Sequence, residues 1–199
     1  MANTIQSISD RENRIRAYRF QEPKWIPVSA GLPPMLFEHY DPDAIEDLLL
    51  THPFLYPGYE KGSIDPNNLQ HPPHQLKNRP YRDGWGCLWE TEVDGMIGAV
   101  TEHPLEDWEN FEGFRPPDLD KTDGMLPVDW KEVARWAKEA RDKDEMLAFF
   151  IPHGHTFLRL QDLRGYTSLM YDMFAEEPRL NELIAMVEDF NLRLIERYL

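Results

Sequence analysis

The clearest hydrophobic periodicity follows Pro178, where Leu180, Leu183, Ile184, Val187, Phe190 and Leu194 recur at three- and four-residue spacing. That spacing predicts a helix with a wide apolar stripe, started by its proline. Three further helices announce themselves by their caps. Ser9 followed by Glu12 is a capping box for residues 9–19. Asp41 and Pro42 open "DPDAIEDLLLTH", with Ile45, Leu48 and Leu49 as its buried face and Pro53 as its stop. Asp129 and Glu132 start "PVDWKEVARWAKEARDKDE", with Val128 placed to staple onto Val133. "TFLRLQDLRGYTSLMYDMF" predicts one or two helices, and "HPLEDWENF" a helix from Pro104 with Glu106 and Asp107 in its first turn.

Other stretches lack helical spacing. "PKWIPVSAG" predicts a short buried strand ending at a glycine turn, and the unbroken apolar run "MLAFFIP" a strand covered on both faces, as in a parallel sheet. Residues 81–102 predict strand pairs around Asp94-Gly95, a strong hairpin dipeptide. Residues 53–80 form a loop rich in Pro, Asn, His and Gly. It is longer than most connections, and long ordered loops are often functional. Apolar strands alternating with amphipathic helices give an α/β class in a single domain. No internal repeat or low-complexity tract interrupts it.

Composition narrows the function classes. The 199 residues carry a formal charge of −15, which repels phosphate backbones and anionic lipid, so neither nucleic acid nor membrane is expected as a partner. No apolar run approaches the roughly 20 residues of a membrane helix, and the first twenty residues contain no secretory apolar core. The single cysteine, Cys87, allows no intrachain disulfide. Together these predict a cytoplasmic protein. Cys87 falls in an expected strand, where a small buried residue is the ordinary reading. His71 and His74 in "HPPH" have no Cys or carboxylate nearby to complete a metal set and suit a rigid loop. No phosphate-binding glycine loop or nucleophile elbow occurs.

Four phrases carry a resemblance: "RENRIRAYRFQEPKWIPV", "YRDGWGCLWE", "GAVTEHPLEDWENFEGFRPPD" and "LRGYTSLMYDMFAEEPRLNELIAMVEDFNL". In this order they cover most of the chain. The chain resembles the N-terminal half of the uroporphyrinogen decarboxylase superfamily, which includes corrinoid- and coenzyme-linked methyltransferases. The resemblance implies the N-terminal part of a (β/α)8 TIM barrel, a fold of about 250 residues or more. It implies a loop and β-hairpin excursion over about 53–127, with the downstream half absent. The chain would then be a fragment, a deliberately shortened chain or a split subunit.

The same resemblance places candidate site residues. The "D-x-W-G" region of the family borders the substrate cleft, which makes Asp83 and Trp85 candidate substrate contacts. The alternative is that Trp85, Trp89 and Trp108 plug the excursion onto the barrel, the preferred reading for Trp89 and Trp108. Glu90 beside Trp89 belongs to a solvated hairpin face or to the cleft. His153 and His155 follow "MLAFFI" at what would be the C-terminal mouth, where such barrels gather their active residues. They are candidates for substrate contact, for metal binding if the turn at Gly154 brings them together, or for capping and solvent-exposed roles. Arg159 is a further substrate-binding candidate. The competing expectation pairs Arg159 and Arg164 with Asp162 or Asp172.

The decarboxylase itself carries arginines just after its first strand, whereas Ile26–Tyr40 contains neither Arg nor Lys. The methyltransferase branch therefore fits better. Its members bind zinc through one His and two Cys in their second half, so this chain alone is expected to hold no metal or cofactor, and its own catalytic residues stay unassigned. Zinc and a corrinoid protein are implied for the complete enzyme. The expected function is methyl transfer from a small O- or N-methylated substrate. Its expected partners are that small molecule, a corrinoid protein, and a complementary C-terminal half or a second copy. A decarboxylase-like enzyme on a less anionic substrate and a non-catalytic interaction fragment are the alternatives.

Overall fold

A computed structural model describes residues 8–28, 30–56 and 58–199. Residues 1–7 of the N-terminal stretch, Ser29 of the expected first strand and Pro57 of the long loop lie outside them. The chain divides into two compact units. One comprises Met1–Gln70 and Ala134–Ala148, the other His71–Val133 and Phe149–Leu199.

The first unit holds α1 (Asp10–Tyr18), α2 (Leu36–His39), α3 (Pro42–Thr51) and most of α4 (Trp130–Asp142). The local start signals act as expected. Ser9 accepts a hydrogen bond from the Glu12 amide, one half of the expected capping box, while the Glu12 carboxylate pairs with Arg16; Asp41 accepts one from Asp43. Asp129 accepts from the Lys131 and Glu132 amides. Side-chain oxygens thus meet helix N–H groups that have no partner inside the helix. The fully buried Asn13 ties α1 to the following segment by donating to the Trp25 carbonyl and accepting from the Lys24 amide. Among the described residues of this unit, Phe37 and Leu49 are the buried apolar side chains.

The second unit contains a 3₁₀ turn at Pro73–Gln75, then β1 (Tyr81–Arg82), β2 (Leu88–Glu90) and β3 (Ala99–Glu102). The strands form one antiparallel sheet in the order β1-β2-β3. The hairpin expected around Asp94-Gly95 therefore forms, and the Asp94 carboxylate accepts from the Lys77 amide. "HPLEDWENF" departs from expectation: it makes a 3₁₀ turn at Trp108–Phe111 instead of an α-helix from Pro104. Asp107 there accepts from the Glu109 amide.

α5 (Phe157–Arg164) and α6 (Tyr166–Phe174) are separated at Gly165, and α7 runs Pro178–Tyr198. Gly165 has φ +76°, and a Cβ there would lie 3.1 Å from the His103 ring. Only glycine suits both the backbone and the space. The α7 stripe is buried as its spacing predicts, with Leu183, Val187 and Leu194 at 0% exposure. It packs in one core with Trp85, Cys87, Trp89, Leu105, Leu163 and Leu169.

The two apolar segments expected as strands, 23–31 and 146–152, form no strand among the described residues. Ile26 and Phe150 are about four-fifths exposed. Apolar composition alone provides no neighbour, and a strand exists only through its ladder of hydrogen bonds. No parallel strand pair occurs among the described residues.

Candidate functional site

The tight turn from β1 into β2 is built around the Asp83 carboxylate. Its Oδ1 accepts from the Trp85 and Cys87 amides at 3.0 and 2.9 Å. Its Oδ2 accepts from Trp89 Nε1 at 3.0 Å and from the Arg159 guanidinium at 2.8 Å. Four donors saturate a carboxylate whose side chain is fully buried. Trp85 stands edge-on to Phe190 at 4.8 Å, and the Arg159 guanidinium lies 5.8 Å from its ring centre. Gly124 (φ +97°) lets the main chain pass Trp85, because a Cβ there would come within 2.7 Å of the indole nitrogen.

Arg159 connects this turn to α5, where it also lies 3.5 Å from Asp162 Oδ2. The same oxygen is 2.7 Å from His153 Nδ1. The Asp162 backbone carbonyl is 2.7 Å from His103 Nδ1 and accepts from the Cys87 thiol at 3.4 Å. His153 faces Trp89 edge-on at 4.8 Å. Its side chain is 23% exposed, against 4% for Asp162.

His74 packs near the other side of this group, with ring centres 6.5 Å from Trp89 and 6.3 Å from Tyr81. It is buried, and its Nδ1 has no hydrogen-bond partner. Burial lowers its pKa from the ordinary value of 6.5. A nearby His153 pushes the same way, while Asp123 and Asp83 oppose. Burial also raises the pKa of the Cys87 thiol, with Asp83 adding to the effect.

Of the five residues singled out for substrate contact, four meet in one network: Asp83, Trp85, His153 and Arg159. His155 does not join them. Its ring is exposed and lies 2.5 Å from the Thr156 hydroxyl, while its carbonyl accepts from Asn191. His74 and His103 belong to the network and were not candidates for substrate contact, whereas Asp162 was expected only as an ion partner and lies 3.5 Å from Arg159. For His74 the only signal was the "HPPH" repeat, which equally suits a rigid loop. The geometry also divides roles among the four, because Asp83 has no acceptor position left for a ligand whereas His153 has an unused ring nitrogen.

Zinc does not fit these residues. The Cys87 thiol is held in the protonated form and turned toward a carbonyl, and a thiolate is what zinc requires. Among the described residues no group of three or more His, Cys, Asp or Glu side chains is arranged for a metal. No helix among them is long and apolar enough to cross a membrane.

No protein family, curated protein or solved structure matches the chain in comparison.

Proposed function

We propose that this chain is the substrate-holding half of a methyltransferase-like protein of the uroporphyrinogen decarboxylase type. In this proposal it acts on a small O- or N-methylated molecule, together with a corrinoid protein and a complementary half that carries the zinc. The observation that supports it is the Asp83–Arg159–Asp162–His153 network. It joins "YRDGWGCLWE" to "PHGHTFLRLQDLRG", which lie 76 residues apart at the Asp83–Arg159 contact. The first of these is among the phrases that carry the resemblance, and the second runs into another.

The state of the cations favours methyl transfer over porphyrinogen decarboxylation. A polycarboxylate substrate needs free guanidinium or ammonium groups. Arg159 and Arg164 are both buried, and each is engaged with a carboxylate of the chain itself.

Ligand-observed NMR on the purified chain tests the proposal, using a panel of methoxylated aromatics, methylated amines and a polycarboxylate tetrapyrrole. Saturable binding of a methylated compound, weakened by His153→Ala, is the expected result. Binding of the tetrapyrrole alone would replace methyl transfer with the decarboxylase reading. Binding of neither, with or without a corrinoid protein, would leave an interaction fragment.

A further inference from the structure

We infer that His153 and Asp162 form a proton-accepting dyad, with His153 Nε2 as the atom that meets a small molecule bearing an O–H, N–H or S–H group. The inference goes beyond methyl transfer and stands without it, since it requires neither a corrinoid nor a metal.

The tautomer follows from the partner. An ionised Asp162 only accepts, so Nδ1 at 2.7 Å carries the hydrogen, and in the neutral ring Nε2 then carries the lone pair. Asp162 is held by its own carbonyl as well as its side chain, through His103 and Cys87 on one side and Arg159 on the other. A carboxylate fixed in this way holds an imidazole in one orientation and neutralises the positive charge it gains with a proton. Nε2 makes no hydrogen bond with any described residue.

Two further features point outward from a purely structural role. His153 has φ +52° and is followed by Gly154 at φ +81°. A left-handed non-glycine residue is uncommon, and here it sets the ring edge-on to Trp89 and onto Asp162. A second unused ring nitrogen, His74 Nδ1, belongs to the same cluster around Trp89. His74 Nδ1 and Trp89 are both buried, so of the two nitrogens the one on the partly exposed His153 is the one that meets a ligand.

The charged and titratable groups around His153 are Asp162 and Arg159 from α5, Asp83 from the β1–β2 turn through Arg159, and His74 from the 3₁₀ turn. In the transfer the X–H bond of the ligand breaks, the electron pair stays on X, and the proton forms the Nε2–H bond. The Nδ1 hydrogen remains directed at Asp162.

Carbethoxylation of the purified chain by diethyl pyrocarbonate, followed residue by residue with mass spectrometry, tests the dyad. His153 is expected to react faster than the more exposed His155. Asp162→Asn is expected to slow His153 about tenfold and to leave His155 unchanged. A His153 rate at or below that of His155, or a rate indifferent to Asp162→Asn, overturns the inference. If Asp162→Asn does not fold, ¹⁵N-histidine spectra of the unaltered chain decide. A His153 Nε2 resonance of unprotonated type that shifts saturably with phenol supports the dyad; a protonated Nε2, or no shift, overturns it.

Discussion

Two arginines five residues apart on α5 are both buried beside acidic side chains, yet their surroundings differ. Arg164 is complete. Its Nε and Nη2 bond both oxygens of Asp172 at 2.7 and 3.2 Å, its Nη1 bonds the Leu105 and Glu106 carbonyls, and its guanidinium lies 4.2 Å from the Trp108 ring centre. Trp108 in turn donates to Asp172 at 3.0 Å. One cation meets one anion with their donors and acceptors engaged. Arg159 instead stands between two carboxylates, and the surplus acceptor is turned to a histidine that keeps one nitrogen unused. The first arrangement is what a fold needs to hold α5, α6 and the Trp108 turn together. The second has chemical capacity left over. Burial and charge alone do not separate a structural ion pair from a site; the stoichiometry of donors and acceptors does.

The cavity beside the saturated cluster sharpens this contrast. About 690 Å³ opens next to Trp108, lined by Arg164 and Arg179 but also by Glu106, Asp107 and Glu109. Arg179 is paired with Glu177 at 2.7 Å. Volume is present there, but its cations are already neutralised, so the cavity has no charge to offer an anionic ligand.

Replacing Arg164 should produce the largest effect on this comparison. Arg164→Met leaves Asp172 and two carbonyls buried without their partner, and a broken buried ion pair costs about 3–5 kcal/mol. Denaturant unfolding should show that loss. Arg164→Met combined with Asp172→Leu should recover much of it, because a matched apolar pair no longer buries an unpaired charge. No recovery would mean that the Leu105 and Glu106 carbonyls depend on Arg164 more than Asp172 does.

Asp83→Asn ranks next. An amide keeps the shape but faces a guanidinium with an uncharged oxygen or with an N–H donor, and it cannot satisfy all four of the donors that meet the carboxylate. Hydrogen bonds to charged groups contribute about 1.5–3 kcal/mol each, so a loss of about 2–3 kcal/mol is expected by the same measurement. The Trp85 and Trp89 fluorescence should change with it, since the Trp85 amide and the Trp89 indole both donate to this carboxylate. A variant as stable as the original would remove Asp83 from its place as the hub of the network.

Much of the scaffold around these clusters was legible in the sequence, because its signals are local. The Ser9, Asp41 and Asp129 caps each occupy one turn of helix and the α7 stripe lies within a single helix, where spacing and geometry are the same thing. The Arg164–Asp172 pair was foreseen as a choice between carboxylates. Its eight-residue separation is not a single-helix spacing, and it is made possible by the break at Gly165. Asp83 and Arg159 were each singled out, but through a family resemblance; no spacing rule connects residues 76 positions apart. The apolar runs at 23–31 and 146–152 misled for the opposite reason, since strand composition was present and no strand partner was implied by it. His74 was passed over because its histidine-proline phrase carries no hint of burial, and burial is what distinguishes it.

His74 supplies the smallest and most specific test, one that separates the unsaturated cluster from the saturated one by pH. Its folded-state pKa lies below the ordinary 6.5, chiefly because burial disfavours the charged ring. As pH falls below that ordinary value, the unfolded chain takes up a proton that the folded chain resists. Folding stability should therefore be fully present above about pH 6.5, and decline as pH falls toward the folded-state pKa. A single such group contributes a slope of at most about 1.4 kcal/mol per pH unit. Carboxylates titrate mostly near pH 4, so the interval between pH 7 and 5 isolates the histidines. Unfolding free energies measured across that interval should slope less for His74→Gln than for the unaltered chain, whereas Arg164→Met should keep the original slope at lower overall stability. Parallel curves for His74→Gln and the unaltered chain would show that the buried ring is protonated as readily in the fold as outside it, and would remove the electrostatic distinction between the two clusters that its unpartnered Nδ1 represents.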